Sequence, residues 1–269
     1  MMEETGSCTA EENYVQKRKE KMNLWIRRIT GIIAGIALVL VLAVSSVEIA
    51  AYGDFGFYEK EYTKYNVNDP KGIVNMEMDE LVRVTREMMA YLRGDRDDMV
   101  IYATVDGTEK EMFNDIEKFH MADVRTLFVK GLTIRRISIA IVVLCISLMS
   151  LVYGFRRSIK SVFINIKRVI LAVWAVFAVV AAAAFVDFTT VFYIFHYIFF
   201  DNMAWQLDGE ISRLINMLPE GFFIDIAIRI GVIYILSNLI ILALAFWVKR
   251  GKLFSLSQKN KIGGTYEQG

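Results

Sequence analysis

Proline, cysteine and histidine are scarce in this sequence, two of each in 269 residues. So few prolines, beside uncharged runs built from Val, Ile, Leu and Ala, speak against the broken membrane helices of transporters. Two cysteines make no disulfide framework and no CxxC pair. Cys8 falls in a polar N-terminal stretch and Cys145 inside an apolar run, so they share no oxidising compartment in which to pair. A surplus of either charge is also missing: 31 Lys and Arg face 30 Asp and Glu, for a net charge of +1, which leaves no basic stripe for nucleic acid. No glycine-flanked serine elbow, Walker loop or HExxH helix occurs. A serine hydrolase and a phosphate-loop enzyme therefore lack support.

What the chain has in quantity is apolar surface. Hydrophobic residues make up 55% of it and the mean hydropathy is +0.39, values that point to a membrane protein. Residues 29–47, 137–155, 169–186 and 230–248 carry no charge and approach the length of a helix that crosses the hydrocarbon core. They predict four transmembrane helices, drawn at 23–49, 135–155, 169–187 and 226–248. The first is too long, and too lacking in an A-x-A site, for a cleaved signal peptide.

Lys and Arg set the orientation. Lys17, Arg18, Lys19, Lys21, Arg27 and Arg28 precede or open the first run, and Arg156, Arg157, Lys160, Lys167 and Arg168 lie between the second and third. The segments 1–22, 156–168 and 249–269 are thus assigned to the cytoplasm, with 1–22 and 254–269 as polar, disordered tails. Residues 50–134 and 188–225 then face outward. The fold class expected is an α-helical integral membrane protein: a four-helix transmembrane bundle with a small, mostly helical α+β extracytoplasmic domain and an outer interfacial or re-entrant aromatic segment.

Within 50–134, residues 53–68 are rich in Tyr and Phe and read as extended chain. Residues 76–92 carry apolar side chains at helical spacing and end at Gly94. Residues 99–104 alternate like a strand, and Val105-Asp106-Gly107-Thr108 is a hairpin turn. Helical period resumes over 111–129. There Phe113, Ile116, His120, Asp123, Val124 and Leu127 recur every three or four residues, which puts His120 and Asp123 on an apolar stripe.

The second outward segment holds FTTVFYIFHYIFFDNMAWQL, residues 188–207. Its uncharged part is too short to span a bilayer, and its Phe and Tyr rings suit the interface. LINMLPEGFF, residues 214–223, is expected to return the chain to that interface. The only other histidine, His196, sits in the aromatic run. A lone histidine on an apolar face is ordinarily a core residue satisfied locally. Two ionisable groups near the same leaflet are a stronger functional signal, because each is costly there. An imidazole titrates near neutrality and can pass a proton from nucleophile to leaving group, and Asp123, one turn from His120, can fix its tautomer. His120, Asp123, His196 and Asp201 can also be read as metal ligands. Arg125, Arg229 and Glu48 read as snorkelling side chains or exposed ion pairs.

KEMFNDIEKFHMADVRTLF, FHYIFFDNMAWQLD and LINMLPEGFF, with YLRGDRDDM, are similar to the pattern of a bacterial membrane family, that of the lipoprotein intramolecular transacylase. The resemblance runs from about residue 25 to residue 247. It departs from the family pattern at Asn202-Met203 and at Asp208-Gly209. It implies an enzyme of the bacterial cytoplasmic membrane, both termini inside and the site outside. That enzyme would move the sn-2 acyl chain of an S-diacylglyceryl-cysteine lipoprotein to the α-amino group of the same cysteine, giving the lyso-form lipoprotein. It implies catalytic roles for His120 and His196, with Asp123 as orienting group, Asn202 as oxyanion donor and Trp205, Phe195, Phe199 and Phe200 as a wall against acyl chains. The implied partners are the lipoprotein substrate and membrane phospholipid, with no acyl carrier, ATP, metal or other cofactor. Two alternatives remain: a metal-dependent membrane lipid hydrolase using the same histidines, or a non-enzymatic lipoprotein-binding membrane protein.

Overall fold

A computed structural model describes the backbone of residues 4–249 and the side chains of residues 13–248. The polar stretch after Lys249, expected to be a tail, lies outside the described residues, as does the side chain of Cys8. In chain order the elements are α1 (Glu4–Tyr52), α2 (Gly56–Lys64), α3 (Met78–Arg93), β1 (Tyr102–Val105), β2 (Thr108–Glu111), α4 (Asp115–Tyr153), α5 (Phe155–Val186), α6 (Phe188–Phe199), α7 (Arg213–Met217) and α8 (Glu220–Lys249). Among the described residues α1, α4, α5 and α8 are long and apolar enough to cross a membrane. Leu151, Val179 and Phe185 on these helices are exposed, as suits side chains whose solvent is lipid.

The N-terminal stretch is not the disordered tail that its polarity suggested: α1 is already helical there. Residues 13–22 contain no Gly or Pro and are rich in Lys, Arg, Glu, Gln and Met, all good helix formers. Polarity removed the reason to pack, not the propensity to be helical.

The chain divides into two compact units. One comprises residues 1–41, 137–174 and 237–269. Here the spacing Gly31-x-x-x-Gly35 on α1 meets α5 at short range. A Cβ at Gly31 would lie 2.6 Å from the Asn165 amide nitrogen, and one at Gly35 would lie 3.3 Å from a Val169 methyl. Small residues let two backbones approach in lipid, where packing and polar contacts replace the hydrophobic drive. Ser161 Oγ adds a hydrogen bond of 3.2 Å to the Arg27 carbonyl. Ala34, Val162 and the free Cys145 pack together beside it.

The other unit comprises residues 42–136 and 175–236 and holds the larger core. Residues 53–68, expected to be extended, contain the helix α2. Phe55, Tyr58, Tyr62 and Tyr65 recur every three or four residues, so the helical period outweighed the strand preference of aromatic rings. Tyr58 and Tyr62 are fully buried. Their hydroxyls are satisfied inside: Tyr58 donates to the Ala51 carbonyl at 2.9 Å, and Tyr62 shares a hydrogen bond of 2.7 Å with Thr85 Oγ1. Both phenols are pushed above their ordinary pKa by burial and stay protonated.

The expected helix over 76–92 is α3, closed by Gly94 in the left-handed region at φ 89°. The hairpin also forms as expected, with Asp106 and Gly107 both at positive φ and Val105 opposite Thr108, as a type I′ turn requires. Burial alternates from Met99 to Val105, but the paired strand begins at Tyr102, with one further hydrogen bond beyond it, from the Met112 N–H to the Ile101 carbonyl at 2.8 Å. Asn114 then starts α4. Its side chain accepts from the Glu117 N–H at 3.0 Å, and Glu117 accepts from the Asn114 N–H at 2.7 Å, a reciprocal cap.

Candidate functional site

The site is assembled in this second unit from the first turns of α4, the end of α6 and the segment that follows it. α6 begins at Asp187, whose carboxylate accepts from the Thr190 N–H at 3.0 Å. It ends where Phe200 turns to extended backbone. His196 is therefore in its last turn. His120 lies near the start of α4, several turns ahead of the uncharged stretch that begins at Ile137.

The two histidines, separate in sequence, come together: their ring centroids are 6.0 Å apart. Phe200 bridges them, 5.3 Å from His120 in an edge-on arrangement and 5.4 Å from His196. Trp205 lies 4.8 Å from His196, Phe192 4.2 Å and Phe195 5.4 Å. Tyr193 and Tyr197 stand edge-on to the Trp205 ring. Phe199 belongs to an outer layer: it packs on Phe195 at 4.7 Å and is half exposed. Trp205, Phe195 and Phe200 thus lie against the imidazoles, and Phe199 packs behind Phe195.

Both imidazoles are buried, His120 at 8% and His196 at 6% exposure. Nδ1 of His196 lies 2.7 Å from the Phe192 carbonyl. A carbonyl only accepts, so Nδ1 carries the hydrogen and Nε2 keeps the lone pair in the neutral ring. Burial lowers the His196 pKa, with the Phe192 hydrogen bond opposing it. Burial, and next the neighbouring His196, push His120 down to about 4 against the pull of Asp123. At neutral pH both rings are uncharged and able to accept a proton.

Asp123 acts differently from what one helical turn of separation suggested. Its carboxylate accepts from the Asn202 amide at 2.8 Å. Nδ1 of His120 is buried with no hydrogen-bond partner among the described residues. Asn202 Oδ1 in turn accepts from the Ala204 N–H at 2.9 Å, which ties down the turn leading to Trp205. One amide hydrogen of Asn202 is committed to Asp123, leaving only the other for a ligand. Among the described residues no three His, Cys, Asp or Glu side chains cluster as a metal would require, and Asp201 is exposed.

The sequence missed Glu117. The stripe expected on α4 ran through Ile116, but Ile116 is 59% exposed while Glu117 is 1% exposed. The buried carboxylate accepts from Ser212 Oγ at 2.6 Å and from the Leu214 N–H at 2.8 Å. The Asn-x-x-Glu spacing was a legible helix start; the partners Ser212 and Leu214 were not. Arg125, Arg229 and Glu48 do make ion pairs, with Asp97, with Asp54 and with Arg135 and Arg93. Arg125 and Arg229 also lie over the rings of Tyr91 and Phe57.

Comparison with known proteins identifies the family and the fold. The family model described as lipoprotein intramolecular transacylase Lit matches residues 32–223. The fold is similar to the solved structure of the membrane-integral lipoprotein intramolecular transacylase Lit from Bacillus cereus. That match has 20% identity and a TM-score of 0.66, over 85% of this chain and 98% of that one. Two forms of the same Bacillus cereus protein with one histidine replaced, by arginine or by alanine, match at 18% identity with TM-scores of 0.67 and 0.66. They cover 89% and 88% of this chain and 99% of each of theirs. No functionally curated protein matches the sequence. The match over residues 32–223 takes in most of the chain and the whole of the site: this protein belongs to the lipoprotein intramolecular transacylase family.

Proposed function

We propose that this protein transfers the sn-2 acyl chain of an S-diacylglyceryl-cysteine lipoprotein to the α-amino group of that same cysteine, with His120 and His196 as its catalytic residues. The observation that carries the reading is the pair of neutral imidazoles, 6.0 Å apart, inside a wall of aromatic rings.

In the reaction the amine nitrogen attacks the ester carbonyl carbon. The new C–N bond forms, the C–O bond to glycerol breaks, the amine loses a proton and the glycerol oxygen gains one. An imidazole with a free lone pair takes the first proton and an imidazolium supplies the second. Because donor and acceptor belong to one molecule, holding them in register makes the attack effectively unimolecular. His196 is suited to accept at Nε2, since Nδ1 is committed to Phe192. Phe192, Phe195, Phe200 and Trp205 offer apolar faces to acyl chains. The remaining amide hydrogen of Asn202 is an oxyanion donor in this scheme. The chemistry calls for no acyl carrier and no ATP.

The orientation belongs to the same proposal: both termini in the cytoplasm, and the site on the extracytoplasmic face, where the lipid-bearing cysteine of an exported lipoprotein lies. The Lys and Arg of 156–168 support it. α6, an apolar helix too short to span, then lies at the outer interface, with phospholipid as its surroundings.

The test is mass spectrometry of a reporter lipoprotein's N-terminal peptide from cells carrying the native chain, His120→Ala or His196→Ala. The native chain should yield a peptide of unchanged mass whose fragments place an acyl group on the cysteine nitrogen, and each variant should lose it while remaining in the membrane. Full conversion by both variants would remove the reading.

A further inference from the structure

We propose that Glu117 is a positioning residue that sets the distance between the two histidines, holding the segment after α6 against α4. This rests on the reading of the histidine pair as the reacting groups. The geometry is a ladder of three contacts on one face of α4, at Glu117, His120 and Asp123. Asp123 takes the Asn202 amide, His120 takes the edge of Phe200, and Glu117 takes Ser212 Oγ and the Leu214 N–H. Residues three apart on a helix lie one above another. The segment from 200 to 214 is thus fastened at both ends to a single stripe, with His120 between the fastenings.

The Glu117 end is the stronger of the two. Its carboxylate is 1% exposed and accepts three hydrogen bonds, counting the Asn114 N–H, and bonds to a charged acceptor are the strong class. Ser212 is 1% exposed and also caps α7 through the Ile215 N–H at 3.3 Å. The Arg213 guanidinium, between the two bonded residues, donates to the carbonyls of Glu111 and Met112 at 3.2 and 3.1 Å. Between these fastenings the segment is held by packing: Trp205, 5% exposed, rests on Tyr193, Tyr197 and His196, while Met203 and Ile211 are 58% and 67% exposed. Released at Glu117, the segment keeps the Asn202 bond at one end and the Arg213 bonds to the Glu111 and Met112 carbonyls at the other, but Ser212 and the Leu214 N–H lose their partner, and the strain is relieved by a shift of Phe200 and Trp205 relative to His120 and His196.

The chain has only two histidines, so its imidazole NMR signals, recorded in micelles without a histidine tag and assigned with His120→Gln and His196→Gln, report the site whatever the enzyme's turnover. Glu117→Ala should move both signals and their titration toward those of exposed histidine and lower kcat at least tenfold, with a smaller change in KM. Ser212→Ala should do the same to a lesser degree, and should add nothing in the Glu117→Ala background. Asn114→Ala removes only the helix cap, so it should lower the melting temperature while leaving the signals and kcat as they are. Should Glu117→Ala not accumulate, Ser212→Ala carries the reading alone. Unmoved histidine signals with a native kcat, whatever the change in melting temperature, overturn the inference. Moved signals in a protein whose native form transfers no acyl group would uphold it and remove the transacylase reading instead.

Discussion

The Asn202 amide donates to the Asp123 carboxylate at 2.8 Å, and through it the segment that carries Trp205 is fixed to the helix that carries His120. A bond to a charged acceptor is worth roughly 1.5–3 kcal/mol. If that full amount is felt in the transition state, losing it slows the reaction by about 10- to 100-fold. Asp123→Ala should lower kcat in this range, and Asn202→Ala by at least as much, since it also removes the oxyanion donor. Together they should cost no more than the larger single effect, because both remove the same bond. Rates measured on a reporter lipoprotein in proteoliposomes decide this, and simple additivity would contradict it.

Acid should unfold the protein. His120 in the folded chain binds its proton only near pH 4, while in the unfolded chain it binds near the ordinary value of about 6.5. Between those values the unfolded chain holds more protons, so stability falls as pH drops from about 6.5 toward 4 and is fully present above that window. His196 is shifted in the same direction. Thermal unfolding in micelles should therefore move to lower temperature as pH falls through this range; the rate also carries the titration of the substrate's α-amino group, whose ordinary pKa is about 8, so the unfolding reports the histidines. A melting temperature that does not fall between pH 6.5 and 4 would contradict the buried, neutral pair.

The four membrane helices were legible because length and lack of charge alone make a span. The hairpin was legible because Asp-Gly admits few turns. Residues 53–68 misled because Tyr and Phe favour strands as types, while at 55, 58, 62 and 65 their spacing is helical. His120 and His196 could be singled out because ionisable groups are conspicuous in an apolar setting, while Trp205 came with the family resemblance. Glu117 could not. A glutamate one turn before His120 looks like a solvated position until Ser212 and the Leu214 N–H arrive from a segment distant in sequence. The pairing of Asp123 with Asn202 rather than His120 was hidden for the same reason: neighbours along a helix can be read, partners across a fold cannot.

Gly221 should tolerate no side chain. A Cβ there would overlap the Tyr65 ring, and that ring is held by its hydroxyl, which donates to Asp225 at 2.6 Å. Lys64 pairs with the same carboxylate, so the ring cannot swing away without breaking a polar cluster. Overpacking of this kind costs about 1–3 kcal/mol. Gly221→Ala should lower the melting temperature by several degrees, and Gly221→Ala with Tyr65→Phe should recover part of the loss because the freed ring can shift. No recovery in the double variant would mean that the ring is held by packing rather than by Asp225.

Glu48 stands between Arg135 and Arg93, with 19% of its side chain exposed against 22% for Arg135 and 45% for Arg93. Breaking a fully buried pair by removing one partner costs about 3–5 kcal/mol, whereas an exposed pair is worth about 0–1 kcal/mol. A half-sheltered carboxylate shared by two guanidinium groups belongs between, at about 1–3 kcal/mol. Glu48→Gln should lose this much because Arg135, the better buried of the two, keeps its charge without a counter-charge. Glu48→Gln with Arg135→Gln should be more stable than Glu48→Gln alone, since the uncompensated charge is gone. Unfolding in mixed micelles at two salt concentrations measures both, and a strong salt dependence of the native chain's loss would place the pair with exposed ones instead.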